Sequence, residues 1–138
     1  MTDRRSVLLP EDFDHQAFLD FHRRDVEAVA ETVDASTLRK AFIWQQAPVL
    51  LTVEFHEPAR AHVTFHSDGK MPQTSPCQDA LVRHLLGLDQ PTREFEARAD
   101  KHPLVGALVR SQAGLRIPQS ASPFEALSWA IIGQQISV

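Results

Sequence analysis

Residues 37–66 read TLRKAFIWQQAPVLLTVEFHEPARAHVTFH, a stretch in which β-branched and aromatic side chains form runs separated by turn-forming pairs. The breaks fall at Ala47-Pro48 and Glu57-Pro58, and Ser67-Asp68-Gly69 closes the stretch. Runs of this length between such breaks predict successive antiparallel strands. The three predicted strands lie near Leu38–Gln45, Val49–His56 and Arg60–His66.

The last two of these strands alternate between apolar and other residues. Successive side chains of a strand point to opposite faces of the sheet, so residues two apart share a face. Alternation of this kind predicts a sheet with one face in the core. The residues expected on that face are Leu51, Val53 and Phe55 in one strand and Ala61, Val63 and Phe65 in the next.

The residues before this stretch predict a strand and a helix. Ser6–Pro10 has the pattern of a short first strand. Asp14 can cap the helix, because its carboxylate can accept a hydrogen bond from a free backbone amide of the first turn. One face of that helix should be buried, since apolar residues recur near helical spacing at Phe18, Phe21, Val26 and Val29.

Beyond Gly69 the pattern is helical. Ser75-Pro76-Cys77-Gln78 has the form of a capping box with Pro at the first helical position, and it predicts a helix to about Leu88 in which Cys77 is a buried small residue. Helical spacing continues from Phe95 to the turn-like segment 111–114. A second capping box, Ser122–Glu125, begins an apolar helix that runs into Gly133.

The order of the elements indicates the fold class. A strand, a helix, several strands and then only helices predict an α+β layer followed by the beginning of an all-α unit. We place the boundary near Arg98–Lys101, so that residues 1–98 form the α+β domain and residues 99–138 begin a helical one.

Composition sets limits on the class of protein. The 138 residues are 43% apolar and carry a formal net charge of −4, with nine acidic and four basic residues in the first 34 positions. Taken alone, this charge disfavours a surface that neutralises many phosphates. The longest apolar run is far shorter than the roughly 20 residues of a membrane span, and the lone Cys77 excludes an intrachain disulfide. We therefore expect a cytoplasmic protein without a membrane anchor.

Several catalytic and binding chemistries find little support in the sequence. His56, His62 and His66 lie on or beside predicted strands, but no nearby carboxylate or thiolate completes an obvious metal site, so no metal is expected. The acidic pairs Glu11-Asp12 and Glu94/Glu96 sit in polar surroundings, unlike carboxylates tuned for catalysis. The glycines are isolated, which excludes a Gly-rich phosphate loop, and no cofactor is expected.

The segment Gly133-Gln134-Gln135-Ile136-Ser137 places two adjacent amides directly after an apolar helix. A glutamine can both donate and accept hydrogen bonds, so it can contact a base edge or an orphaned base without a fixed charge. The same residues are also compatible with a helix C-cap followed by a polar turn. Spacing alone leaves both interpretations open.

Three segments resemble the AlkA-like DNA-3-methyladenine glycosylase II family of helix-hairpin-helix DNA glycosylases. They are Gly114-Leu115-Arg116-Ile117-Pro118, Ser122–Leu127 and Ala130–Val138. Upstream, Phe13-Asp14 with Phe18–Phe21 and the strand-rich stretch look like the N-terminal domain of that family, whose fold is similar to one half of the TATA-box-binding protein. The resemblance spans nearly the whole chain.

The resemblance implies base-excision repair of alkylated purines in damaged double-stranded DNA, by base flipping and hydrolysis of the N-glycosidic bond. The loop Gly133–Ser137 would enter the minor groove, with Gln134 and Gln135 filling the gap left by the flipped nucleotide. Phe21 and Gln134 would line the base pocket. The family's catalytic Asp would lie beyond Val138, so this chain would hold no catalytic residue and would be inactive alone. The resemblance also implies that the protein is associated with the nucleoid in the cytoplasm.

A different class of protein also fits these observations. A non-catalytic α+β module that binds another protein would explain the net acidity and the incomplete catalytic set. In either case the apolar side chains of the last helix, Phe124, Leu127, Ile131 and Ile132, lack partners within these 138 residues. We expect an exposed apolar patch there and a tendency to self-associate.

Overall fold

The computed structural model describes residues 1–24, 27–69 and 75–135. Within these ranges the chain forms an antiparallel sheet, of strand order β1-β5-β4-β3-β2, together with helices. The α+β class is confirmed. In chain order the elements are β1 (Thr2–Leu8), α1 (His15–His22), β2 (Glu31–Val33), β3 (Thr37–Trp44), β4 (Ala47–Glu57), β5 (Arg60–His66), α2 (Ser75–Leu85), α3 (Thr92–Ala99), α4 (Val105–Ser111) and α5 (Pro123–Gln135).

One face of the sheet forms the core, as the alternation predicts. In the register of β4 with β5, Leu51 lies opposite Phe65 and Val53 opposite Val63. All six residues expected on that face are buried, and Phe65 and Ala61 have no exposed surface. Helices α1 and α2 cover this face, and a small cavity remains between them and the sheet. Its apolar lining consists of Phe18, Leu38, Leu51, Val53, Val82, Leu85 and Leu86.

The turn between β3 and β4 lies at Gln45-Gln46, before the predicted break at Ala47-Pro48. Both glutamines have positive φ, 47° and 67°. Two left-handed residues give a two-residue turn whose twist matches that of the strands, so the hairpin closes here. On its β5 side, β4 has no partner until Leu50. Pro48 can therefore belong to β4, because no hydrogen bond to β5 requires the amide hydrogen that proline lacks.

Helix α1 begins as predicted but is shorter than expected. The Asp14 carboxylate accepts a hydrogen bond from the Ala17 amide at 2.9 Å, which confirms the cap. The helix ends at His22, and Val29, expected on its buried face, is 85% exposed. Val26 lies outside the described residues. The physical reason is that the chain turns back to form β2, an edge strand too short to give a periodic signal.

Two further expectations are corrected at β1 and α2. The first strand covers Thr2–Leu8 rather than Ser6–Pro10, because the whole of this segment pairs with β5. Cys77, expected to be buried, is exposed. It lies in the first turn of α2, off the buried stripe that Gln78, Val82 and Leu85 form at helical spacing.

After α4 the chain returns to the first half of the molecule. Gly114 has a φ of +80°, and a Cβ at this position would lie 1.6 Å from the carbonyl oxygen of Asp12. Next to it, the buried Arg116 donates to the Gly114 carbonyl at 2.8 Å and to the Asp12 carboxylate at 3.3 Å. Burial alone would raise the pKa of Asp12, but the hydrogen bond and charge of Arg116 lower it below its usual value.

Helix α5 is capped by Ser122, whose Oγ accepts a hydrogen bond from the Glu125 amide at 3.2 Å. Glu125 departs from the predicted capping box, because its Oε2 accepts from the Ala121 amide at 2.8 Å instead of from Ser122. No helix in the described ranges is both long and apolar enough to span a bilayer. The division of the chain at residue 98 stays a prediction.

Candidate nucleic-acid interface

Phe21, the aromatic residue assigned to a base pocket, lies at the C-terminal end of α1. Its side chain is half-buried, and its ring meets the His22 ring edge-on at 5.3 Å between centroids. The Arg24 guanidinium lies over the Phe21 ring, 3.6 Å from the centroid, and donates to the Phe21 carbonyl at 2.7 Å. One face of the ring therefore already holds a cation. The role of Phe21 in binding a base stays a prediction.

The predicted minor-groove segment, Gly133–Ser137, begins within a helix. Gly133, Gln134 and Gln135 are the last residues of α5, so the helix extends past the predicted stop at Gly133. Gln134 is exposed. Ile136 and Ser137 lie outside the described residues, and so does the Gln135 side chain. Among the described residues, no atom lies within 4 Å of a Cβ built on Gly133, so space is available for a side chain there.

A largely buried polar cluster lies between α1, the sheet and α5. Its members are His22, Glu31, Lys40 and Glu125, and we call them the polar cluster. His22 Nδ1 lies 2.7 Å from Glu31 Oε2, and Lys40 Nζ donates to both Glu31 Oε1 and Glu125 Oε1, the second at 2.5 Å. Lys40 is only 3% exposed. The polar cluster thus connects α1, β2, β3 and α5 through a single ammonium group and two carboxylates.

The charges of the polar cluster stabilise one another. Burial alone would raise the pKa of Glu31, but the hydrogen bonds with His22 and Lys40 and their charges lower it to about 2. Burial alone would lower the pKa of Lys40, but the two carboxylates that accept its hydrogen bonds raise it above its usual value. At neutral pH, Glu31 is therefore an anion and Lys40 a cation.

The polar cluster links the two parts of the predicted interface. His22 directly follows Phe21 on α1, while Glu125 lies in the first turn of the helix that carries Gln134. Hydrogen bonds run between these helices from His22 through Glu31 and Lys40 to Glu125. Phe21 and Gln134 therefore each stand on a helix that the polar cluster contacts.

Lys40 and Glu31 were not predicted as site residues, although the pattern of β3 contains a signal for Lys40. In β3 the inward-facing positions are Leu38, Lys40 and Phe42, so the period-two pattern places a lysine among core residues. A charge at such a position requires a buried partner. Glu31 carried no comparable signal, because β2 was not predicted.

The three strand histidines pair with carboxylates that were not expected beside them. His56 lies 3.3 Å from Glu54, His62 3.4 Å from Glu57, and His66 3.6 Å from Asp68. These pairs are exposed to solvent, and the rings of His56 and His62 lie 6.4 Å apart between centroids. In the described part of the chain, no group of three or more His, Cys, Asp or Glu side chains is arranged to hold a metal ion.

Comparison with protein families identifies the domain. The model of the AlkA N-terminal domain matches residues 9–122, which is more than half of the chain. The chain belongs to the AlkA N-terminal domain family. The match begins at Leu9, directly after β1, and ends at Ser122, so it includes strands β2–β5 and the segment in which Arg116 contacts Asp12.

A curated protein and a solved structure are also similar to this chain. The DNA-3-methyladenine glycosylase of Bacillus subtilis (strain 168) is 26% identical over 135 residues, which cover 96% of this chain and 44% of that protein. A solved structure of a 3-methyladenine DNA glycosylase from Archaeoglobus fulgidus has the same fold, with a TM-score of 0.75 at 18% identity, over 96% of this chain and 45% of that one. The chain thus spans less than half the length of either relative.

Proposed function

We propose that this chain is the N-terminal part of a monofunctional DNA glycosylase that removes alkylated purines from duplex DNA. The observation that carries the proposal is the match to the AlkA N-terminal domain, with 96% of the chain aligned to a protein named DNA-3-methyladenine glycosylase. The remaining 56% of that relative's length has no counterpart in these residues, so the proposal assigns hydrolysis to an Asp outside them.

Phe21 is the proposed contact for the damaged base. A purine alkylated at a ring nitrogen is cationic, and an aromatic ring attracts a cation by roughly 1–2 kcal/mol when water is excluded. Arg24 occupies one face of the Phe21 ring at 3.6 Å, so a flipped base would have to stack on the other face or displace Arg24. Because Arg24 is itself a cation, its displacement by the base replaces one cation–π contact with another.

Gln134 is the proposed minor-groove residue. It is exposed at the end of α5, where an amide can donate to and accept from the base left unpaired by flipping. The proposal requires no fixed positive charge at this position, which accords with the single charged residue, Glu125, in α5.

The decisive experiment measures release of 3-methyladenine and 7-methylguanine from alkylated duplex DNA. The protein encoded by the complete reading frame should release both bases, whereas the 138-residue chain alone should release neither. Q134A should lower the single-turnover rate of the complete protein, and A130S, on the same helix, serves as the matched control with an unchanged rate. No release by the complete protein with its Asp intact would refute the proposal and favour a non-catalytic interaction module.

A further inference from the structure

We propose that Lys40 and Glu125 are positioning residues, and that their ion pair sets the direction of α5 relative to the sheet. Because Gln134 stands at the far end of α5, this pair would determine where Gln134 meets DNA. Only that last consequence rests on the proposed function. The orientation of the helix is a property of the chain itself and can be measured without DNA.

The side chains of α5 make this pair important, because the helix buries little apolar surface. Phe124 is 80% exposed, Leu127 61% and Trp129 63%. Among the described side chains of α5, the half-buried ones are Glu125 and Ser128, which are three residues apart and share a face. The face of α5 turned toward the domain is therefore polar, and hydrophobic packing does not fix its direction.

Lys40 provides a fixed point for this polar face. Its ammonium group is almost fully buried, so loss of a carboxylate partner would leave a buried charge without compensation. Glu31, itself held by His22, fixes one side of the ammonium group. The remaining donors of Lys40 therefore point in a set direction, toward Glu125 at 2.5 Å.

Glu125 transmits this direction to the helix backbone. One carboxylate oxygen accepts from Lys40, and the other accepts from the Ala121 amide just before the helix. Ser122 in turn accepts from the Glu125 amide. These contacts fix both the side chain and the first turn, so the helix start has little freedom to rotate.

A small tilt of α5 at its start becomes a larger displacement at its far end. Gln134 is nine residues beyond Glu125, about 13 Å along a helix that rises about 1.5 Å per residue. A tilt of about 10° at Glu125 would shift Gln134 by about 2 Å. Since a misplacement of about 1 Å can cost a reaction roughly a hundredfold, a pair far from the DNA can still govern its contact.

The test is a distance measurement by double electron–electron resonance on the 138-residue chain. One spin label is attached to the native, exposed Cys77 of α2 and a second to A130C on α5. E125Q and K40M should at least double the width of the distance distribution. K40R, which keeps the charge, should have the same width as wild type. D100N, which breaks the exposed Asp100–Arg110 pair, is the matched control and should change nothing.

A second label pair separates a change of helix direction from unfolding. Labels at Cys77 and at S6C, an exposed position of β1, should give the same narrow distribution in every variant. If K40M fails to fold, E125Q decides the question. An unchanged Cys77–A130C distribution in E125Q would overturn the proposal.

The consequence for DNA is tested on the protein encoded by the complete reading frame. E125Q should lower single-turnover excision by at least about tenfold, with recovery of the wild-type rate in E125D. Unchanged excision in a variant whose helix direction has changed would overturn the link to Gln134. If the wild-type protein excises no base, the proposed function fails, and the resonance measurement still decides whether the pair orients α5.

Discussion

Lys40 shows how much a single charged residue can determine inside a small domain. It is 3% exposed and touches carboxylates from both β2 and α5. Removal of one partner from a buried ion pair commonly costs about 3–5 kcal/mol, because the other charge stays buried without compensation. A lysine of this kind therefore specifies which elements must meet, more than it adds to stability relative to an apolar core.

Glu31 gives a prediction about acid stability. Its pKa is about 2 in the folded chain and near 4.5 when exposed, so its contribution is complete above pH 4.5 and is lost as the pH falls toward 2. This contribution amounts to about 3 kcal/mol at most. Urea unfolding at a series of pH values should show a smaller loss of stability between pH 5 and pH 2.5 in E31Q than in wild type. E94Q, at an exposed position, should follow the wild-type curve.

Gly114 and Gly133 give a matched pair of substitutions. G114A would place a Cβ 1.6 Å from the Asp12 carbonyl at a φ of +80°, which should lower the free energy of unfolding by at least about 2 kcal/mol. G133A meets open space among the described residues and lies in a helix, where alanine is favoured by about 0.5–1 kcal/mol. Denaturant unfolding should therefore show a lower free energy of unfolding than wild type in G114A and a higher one in G133A. Equal effects would contradict the close approach at Gly114.

At the scale of elements, the hairpin of β3 and β4 has a turn that its sequence does not favour. Gln45 and Gln46 both have positive φ, a conformation that Asn-Gly adopts with far less strain. The double variant Q45N/Q46G should raise the unfolding free energy by about 0.5–1 kcal/mol. Q45A/Q46A leaves the backbone strain in place and should not raise the unfolding free energy. Thermal unfolding followed by circular dichroism would measure both double variants.

This turn also shows which parts of the fold can be predicted from sequence. The core faces of β4 and β5 followed from alternation, since residues such as Leu51 and Phe65 repeat with period two. The position of the turn could not be predicted in this way, because Pro48 is a strong local break signal. Only the register with β3 shows that β4 continues through Pro48. The edge strand β2 owes its existence to pairing with β3 and had no local pattern.

The candidate site was predictable to a smaller extent. Phe21 and Gln134 were assigned by resemblance, and their roles stay predictions. The polar cluster depends on residues 85 positions apart in the chain, Lys40 and Glu125, and no sequence pattern reports a contact of that separation. Glu125 was predicted as part of a capping box, but its carboxylate accepts from the Ala121 amide and from Lys40 instead.

In the molecule as a whole, α5 presents the exposed apolar surface expected for the last helix. Phe124, Leu127, Ile131 and Ile132 are exposed by 80%, 61%, 55% and 47%. We predict that the 138-residue chain self-associates through this patch at high concentration. Multi-angle light scattering should show an average mass above that of the monomer, and L127E/I131E should restore the monomer. R98E, on the exposed surface of α3, is the control and should associate like wild type.

The return of the chain from Gly114 to Asp12 also bears on how the protein is made. Arg116 and Asp12 are 104 positions apart, and Lys40 finds its second carboxylate 85 positions downstream. During synthesis the sheet can assemble early, but a nascent chain halted before Gly114 would leave Asp12 without its contact to Arg116 and Lys40 with one carboxylate fewer. The last step of folding must therefore wait until about residue 125 has left the ribosome exit tunnel.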